Sequence, residues 1–215
     1  MSNYYLLLFS LLGGALAFLS PVQLRAANSA PISSYRSPHG PDNSSATIRE
    51  LRKAATSGDA WAMERLRSCY PIGDGVQQDY AEAVRWYSLA AKQGDAEAQY
   101  QVGLCYHKGV GVPKRDTEAV QWYLRAAKQG YVVAQFDLAV CYEEGIGGPK
   151  NYTEATRWYR LAAEQGYIAA QFNLAICYEL GNGVPKDYIE AARWYRQAAE
   201  QGDAEAQYQI GLCYR

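Results

Sequence analysis

The residues most able to do chemistry are five cysteines at a constant step of 36 residues: Cys69, Cys105, Cys141, Cys177 and Cys213. A thiolate can serve as nucleophile, metal ligand or disulfide partner, so spacing has to decide among these roles. If the chain between them is helical, equivalent positions in successive units lie at least about 8–10 Å apart, the packing distance of helices. A disulfide needs Cα atoms within about 7 Å, so neighbouring cysteines are not expected to bridge. No histidine or second cysteine stands at ligand spacing from any of them, so no metal site is expected. What remains is a small buried thiol beside a core aromatic, since each cysteine is followed by tyrosine: Tyr70, Tyr106, Tyr142, Tyr178 and Tyr214. The two histidines, His39 and His107, are isolated, and His107 stands where other units carry Glu or Arg. Glu82, Glu118, Glu154 and Glu190 recur with the same step, each near the start of a helix, which is a capping role. No nucleophile–base pair emerges, and the reading is of a protein without catalytic residues, cofactor or metal.

The elements that place these residues follow from the period itself. Gly58, Gly94, Gly130, Gly166 and Gly202 keep the step of 36, as do the pairs Trp86-Tyr87, Trp122-Tyr123, Trp158-Tyr159 and Trp194-Tyr195. A period between about 20 and 50 residues signals stacked supersecondary units. In the unit Asp95 to Gly130, Ala98, Val102, Gly103 and Tyr106 share one helical face, with Asp95 as N-cap. Gly109-Val110-Gly111-Val112-Pro113 then breaks the helix, and Ala119, Trp122, Tyr123, Ala126 and Ala127 mark a second one. Asp79 with Glu82 and Asp187 with Glu190 read as capping boxes, whereas Arg115 at the same position predicts a more frayed start. Small residues at 103, 139, 175 and 211, and the Ala pairs 90–91, 126–127, 162–163 and 198–199, allow close helix approach. Each unit is thus an antiparallel helix pair that must stack on its neighbours to cover its apolar face.

Outside the repeats the composition changes. Tyr4 to Ser20 is an apolar run shorter than a membrane span, followed by Pro21 and by small residues at Ala26, Ala27 and Ala30. No Lys or Arg precedes it. Residues 1–26 therefore read as an export signal, with an uncleaved anchor over residues 4–20 or a mistaken start site as the alternatives. Residues 27–46, rich in Ser, Pro, Asn and Gly, read as a flexible linker. Asn43-Ser44-Ser45 and Asn151-Tyr152-Thr153 fit the glycosylation pattern, which matters only in a glycosylating cell. The formal net charge of −1 leaves no electrostatic footprint for nucleic acid or an anionic membrane. A membrane contact would come only through the N-terminal segment.

The pattern A-x-A-Q-Y-x-x-G-x-x-Y-x-x-G-x-G-V-P-K-D-Y-x-x-A-x-x-W-Y-x-x-A-A-x-Q-G resembles the Sel-one-like repeat (SLR) family, relatives of the tetratricopeptide repeats, over about residues 58–215. The resemblance implies an all-α, right-handed superhelical solenoid of antiparallel helix pairs that binds a protein or peptide partner. Residues 47–215 divide into a cap helix at 47–57, four repeats at 58–201 and an incomplete fifth at 202–215. Met63, Glu64 and Arg67 depart from the pattern and suggest a solvent-facing end of the array. Residues 94–106 and 202–214 differ only at Val102/Ile210, as though the array were to continue, so a fragment or early stop is expected. In tetratricopeptide relatives the first helices line a concave groove. Carried over by position, that groove receives Tyr100, Phe136, Phe172 and Tyr208, then Leu104, Val140, Ile176 and Leu212. Beside them stand His107, Glu143 and Glu179, with Lys108 and Glu144. An apolar floor with an acidic margin suits an extended or helical peptide. The other reading is that the aromatics pack between units and the charges form a solvated face. The functional expectation is an exported, periplasmic or secreted scaffold. A purely structural spacer is one rival. A β-lactam-binding or weakly hydrolysing enzyme is another, after cysteine-rich members of the family, but those carry two paired cysteines per unit where this chain has one.

Overall fold

Helices of almost uniform length follow one another along the chain, each packed against the one before and the one after. The computed structural model describes residues 45–59, 62–63, 65–67, 70 and 77–213. Helix α1 is Ser45–Thr56, and helical residues recur at 62–63, 65–67 and 70. Then come α2 (Tyr80–Lys92), α3 (Ala96–Lys108), α4 (Asp116–Lys128), α5 (Val132–Glu144) and α6 (Tyr152–Glu164), followed by α7 (Ile168–Leu180), α8 (Tyr188–Glu200) and α9 (Ala204–Cys213). Among the described residues there is no strand. This is the expected solenoid of antiparallel helix pairs. Helix α1 begins at Ser45, two residues ahead of the expected start of the cap helix at 47. The apolar run at residues 4–20 and the linker up to residue 44 lie outside the described residues.

Each first helix ends in the same way. Gly109, Gly145 and Gly181 take left-handed backbone (φ 70°, 75° and 78°) and donate to the carbonyls of Cys105, Cys141 and Cys177. This closes the helix where only glycine is unstrained. Two residues later Gly111, Gly147 and Gly183 are left-handed again, and here the loop presses on the preceding unit. A Cβ on Gly183 would lie 2.1 Å from the carbonyl oxygen of Tyr152, the first residue of α6. The same approach recurs from Gly111 to Tyr80 and from Gly147 to Asp116. The turn is therefore also a contact between repeats.

The second helices start on Asp79, Asn151 and Asp187, whose side chains accept from the amides of Glu82, Glu154 and Glu190 at 3.0–3.1 Å. Their partner in the expected capping box is different. The backbone N–H of each cap residue donates to the last tyrosine carbonyl of the first helix: Asp79 to Tyr70, Asn151 to Tyr142 and Asp187 to Tyr178, at 2.8–3.1 Å. The glutamates, released from that task, pair with Arg85, Arg157 and Arg193 one turn on. Arg115 supplies no side-chain cap, yet its N–H also reaches Tyr106 at 2.8 Å, and α4 keeps the thirteen residues of its neighbours.

Between units, a glutamine closes the junction. Gln99, Gln135 and Gln171 are buried on the first helices, and their amides donate to the carbonyls of Ala91, Ala127 and Ala163 at 3.1–3.2 Å. Their oxygens accept from Gln129, Gln165 and Gln201 at the end of the next second helix, at 2.7–2.8 Å. In the first unit that glutamine is replaced by Met63, which is buried. Arg67, expected at a solvent-facing end, is only 6% exposed. Its guanidinium lies over the Tyr87 ring and 3.8 Å from Glu97, so the first unit is sealed against the second.

Two substitutions, each with a control, test these contacts. Gly183→Ala should lower unfolding free energy by about 2–4 kcal/mol, from backbone strain plus the clash with Tyr152. Gly148→Ala, with open space around it, should change it by less than about 0.5 kcal/mol. Gln135→Leu should cost about 1–3 kcal/mol, since it removes two junction hydrogen bonds, to the Ala127 carbonyl and from Gln165. Gln207→Leu, at an exposed position making the Ala199 contact alone, should cost under about 1 kcal/mol. Urea titration reads all four.

Candidate functional site

The first helices α3, α5, α7 and α9 carry every residue of the expected stripe, one set per unit, but the structure places them at different depths. Tyr100 is 5% exposed. Its ring sits between Tyr123 (5.6 Å) and Tyr131 (5.4 Å), and its hydroxyl donates to Asp137 at 2.9 Å. Phe136 is half-buried between Tyr159 (5.7 Å) and Tyr167 (5.1 Å), and Phe172 lies 5.4 Å from Tyr195. Tyr208, the equivalent residue on α9, is 58% exposed. The rings of the inner units are thus shared between repeats, each first-helix aromatic touching a second-helix tyrosine.

Leu104, Val140 and Ile176 are half-buried and pack on the core from above, and Leu212 is 44% exposed. The polar members do more than line the edge. Glu143 and Glu179 accept from the buried hydroxyls of Tyr159 and Tyr195 at 2.6 and 2.7 Å. His107 replaces glutamate in its unit and turns instead to Asp116, 2.7 Å from Nδ1 to the carboxylate. Burial works to raise the Asp116 carboxyl, but hydrogen bonds from His107 and Lys114 outweigh it and hold the group below its ordinary value. Lys108 is exposed, and Glu144, also exposed, pairs with Lys150 at 3.8 Å.

Two features of this face were not singled out in the sequence. Asp137 stands where the first unit has Arg65 and the remaining units Gln101, Asn173 and Gln209, and burial raises its carboxyl despite the Tyr100 hydrogen bond and the charges of His107 and Lys108. The signal was available as the one acid in that column. The other is the pair Tyr131 and Tyr167, which occupy the helix-cap position held by Asp95 and Asp203 elsewhere. They give no side-chain cap and stack on the aromatic of the preceding unit.

Cys105, Cys141 and Cys177 are free, the last two buried. Burial pushes the Cys105 and Cys177 thiols up to about 11 and that of Cys141 up to about 12. The side chains of Cys69 and Cys213 lie outside the described residues. Among the described residues no group of three or more acidic, histidine or cysteine side chains could hold a metal ion. No described helix is long and apolar enough to cross a membrane.

The sequence matches the family model of the Sel1 repeat at residues 68–95, 96–131, 132–167, 168–203 and 204–215. Among solved structures, a Sel1 repeat protein from Oxalobacter formigenes is 40% identical with a TM-score of 0.70, covering 79% of this chain and 75% of that one. A protective antigen of uropathogenic Escherichia coli with an SLR fold is 33% identical, covering 80% of this chain and 44% of that one, with a TM-score of 0.44. Cysteine rich protein B of Helicobacter pylori is 19% identical, covering 60% and 92%, with a TM-score of 0.48. No curated protein sequence is significantly similar to the chain.

The raised thiols have a consequence for pH. An unfolded cysteine titrates near 8.5, below the folded values, so the folded chain keeps protons that the unfolded chain releases. The stability that the neutral thiols contribute is complete below about pH 8.5 and is lost as pH rises towards 11. The loss is at most about 1.4 kcal/mol per pH unit for each of Cys141 and Cys177. Urea midpoints should be alike at pH 7 and 8 and then fall at pH 9 and again at pH 10. Mass-mapped thiol labelling at pH 8 should modify Cys141 and Cys177 only once urea unfolds the chain. Equal labelling of folded and unfolded protein would contradict the buried assignment.

Proposed function

The chain belongs to the Sel1 repeat family, helical-repeat scaffolds that mediate interactions between proteins, and from that premise we propose that its first-helix face receives a segment of a partner protein. The observation that carries this reading is the row Leu104, Val140 and Ile176. These side chains stay partly open, while Val102, Leu138 and Leu174 on the same helices are fully sealed. A packing role needs only the sealed positions. A row of half-open aliphatic side chains, one per unit, offers regularly spaced contacts to an extended or helical peptide.

Tyr100, Phe136 and Phe172 then back the face from beneath, and Glu143 and Glu179 hold the tyrosines that support it. The partner meets the aliphatic row and the polar column 101, 137, 173 and 209. The protein works outside the cytoplasm in this proposal, as the run Tyr4 to Ser20 followed by Pro21 and small residues suggests. Neutral, buried thiols suit that setting, because the thiolate is the form that oxidises.

Site-specific photo-crosslinking in the native host tests the face. A photoreactive phenylalanine at 104, 140 or 176 should give a discrete adduct, while one at the exposed second-helix positions 121, 157 or 193 should not. Val140→Glu should abolish the adduct from position 176 while leaving the circular dichroism spectrum intact. Equal adducts from both sets of positions, or none from the first, would remove the face from the proposal.

A further inference from the structure

Asp137 is a charge that the fold does not require. At its position the first unit carries Arg65 and the remaining units Gln101, Asn173 and Gln209. The residue beneath it also differs. Tyr100 donates its hydroxyl to Asp137 at 2.9 Å, whereas the equivalent pairs one and two units on are Phe136 with Asn173 and Phe172 with Gln209. Hydroxyl and carboxylate thus occur together in one junction. Phenylalanine and amide occur together in the next two.

Four other first-helix acids are already engaged. Glu97 lies 3.8 Å from Arg67, Glu144 pairs with Lys150, and Glu143 and Glu179 take tyrosine hydroxyls. Asp137 makes no ion pair among the described residues, and the Tyr100 hydroxyl occupies just one of its oxygens. The cations whose charge reaches it are otherwise placed: His107 bonds to Asp116, and Lys108 is exposed. Tyrosines cluster near the carboxylate, beginning with the Tyr100 that bonds to it. Tyr131 stacks on Tyr100, and Tyr167, half-buried, is close enough for the Asp137 charge to raise its hydroxyl.

A carboxylate held by a tyrosine hydroxyl, with further tyrosines near it and the aliphatic Val140 one turn along, matches one kind of group: a cation on an apolar stem. We propose that Asp137, with Tyr100, Tyr131 and Tyr167, forms the binding site for a lysine or arginine side chain of the segment that lies on the first-helix face. The proposal rests on the reading of that face as a binding surface. The ammonium or guanidinium pairs with the carboxylate, its stem crosses the tyrosine rings, and the flanking apolar residues of the same peptide meet Leu104, Val140 and Ile176. The unit with the acid thereby sets the register of the partner along an otherwise repetitive face.

The test uses the full chain and a display library of random twelve-residue peptides as probe. Wild type should enrich peptides with Lys or Arg at a fixed distance from apolar residues. Asp137→Asn installs the residue that the next unit already carries, so it should fold normally by circular dichroism. It should bind the selected peptides at least tenfold more weakly, and Asp137→Lys should shift selection towards Asp or Glu. Val140→Glu should lose the basic and the neutral peptides alike. Indistinguishable selections from wild type and Asp137→Asn, both sensitive to Val140→Glu, would overturn the cation site and leave the face standing. No enrichment by wild type would overturn both.

Discussion

Successive units meet at a glutamine. The Ala-Ala ends of α2, α4 and α6 let the next first helix approach so closely that a side chain on it reaches the carbonyls of Ala91, Ala127 and Ala163, which also accept from the backbone N–H of Gly94, Gly130 and Gly166. A buried hydrogen bond of this kind contributes about 0.5–1.5 kcal/mol, and three junctions have one. Gln99, Gln135 and Gln171 supply it, and their oxygens accept from Gln129, Gln165 and Gln201 at the end of the following second helix. The contact is directional where alanine packing is not. It therefore fixes how far one pair is translated and turned relative to the last, and the rows of side chains on the first-helix face inherit that step.

The same junction shows where the inner units differ from the outer ones. Asp95 and Asp203 cap their helices, accepting from Ala98 and Ala206 at 2.7–2.8 Å. Tyr131 and Tyr167 give up a cap of about 1 kcal/mol. In return each gains an aromatic contact of about 0.5–1.5 kcal/mol beyond the area it buries. The exchange is near neutral or favourable for stability, but it changes the surface. Rings replace carboxylates beside Asp137, so the charge there is not diluted by other acids.

Much of the fold was legible in the sequence because the period, the Gly-x-Gly turns and the paired alanines are local signals repeated several times over. What was not legible depended on neighbours. The partner of each cap residue's N–H is a tyrosine carbonyl brought in by the turn, which no spacing of Asp and Glu reveals. Arg67 looked like surface because it is charged, yet Glu97 and the Tyr87 ring of adjoining helices make its burial tolerable. Residues 94–105 and 202–213 make the point most directly. They differ by one methylene, yet Tyr100 is sealed and Tyr208 is open: the tyrosines that cover Tyr100 come from α4 and from the turn before α5. The stripe was legible as positions. The depth of each position was not.

A repeat array distributes its stability over many near-identical junctions, and this bears on where a costly group can be placed. Partly burying a carboxylate is unfavourable, as the raised Asp137 carboxyl reflects. At an end of the array, where each unit is held on one side, such a penalty would loosen the helix that carries it. Asp137 lies on α5, which is held on both sides, by α4 and by α6. Gln135 on the same helix makes two junction hydrogen bonds, and Leu138 and Ala139 are fully buried. The charge thus sits in a unit that is locked into the stack on both sides, and a rigid base is what keeps a carboxylate from turning out to solvent. The regular part of the structure and its single irregular charge are in this sense one arrangement, since the junctions that make the units alike are what allow one of them to differ.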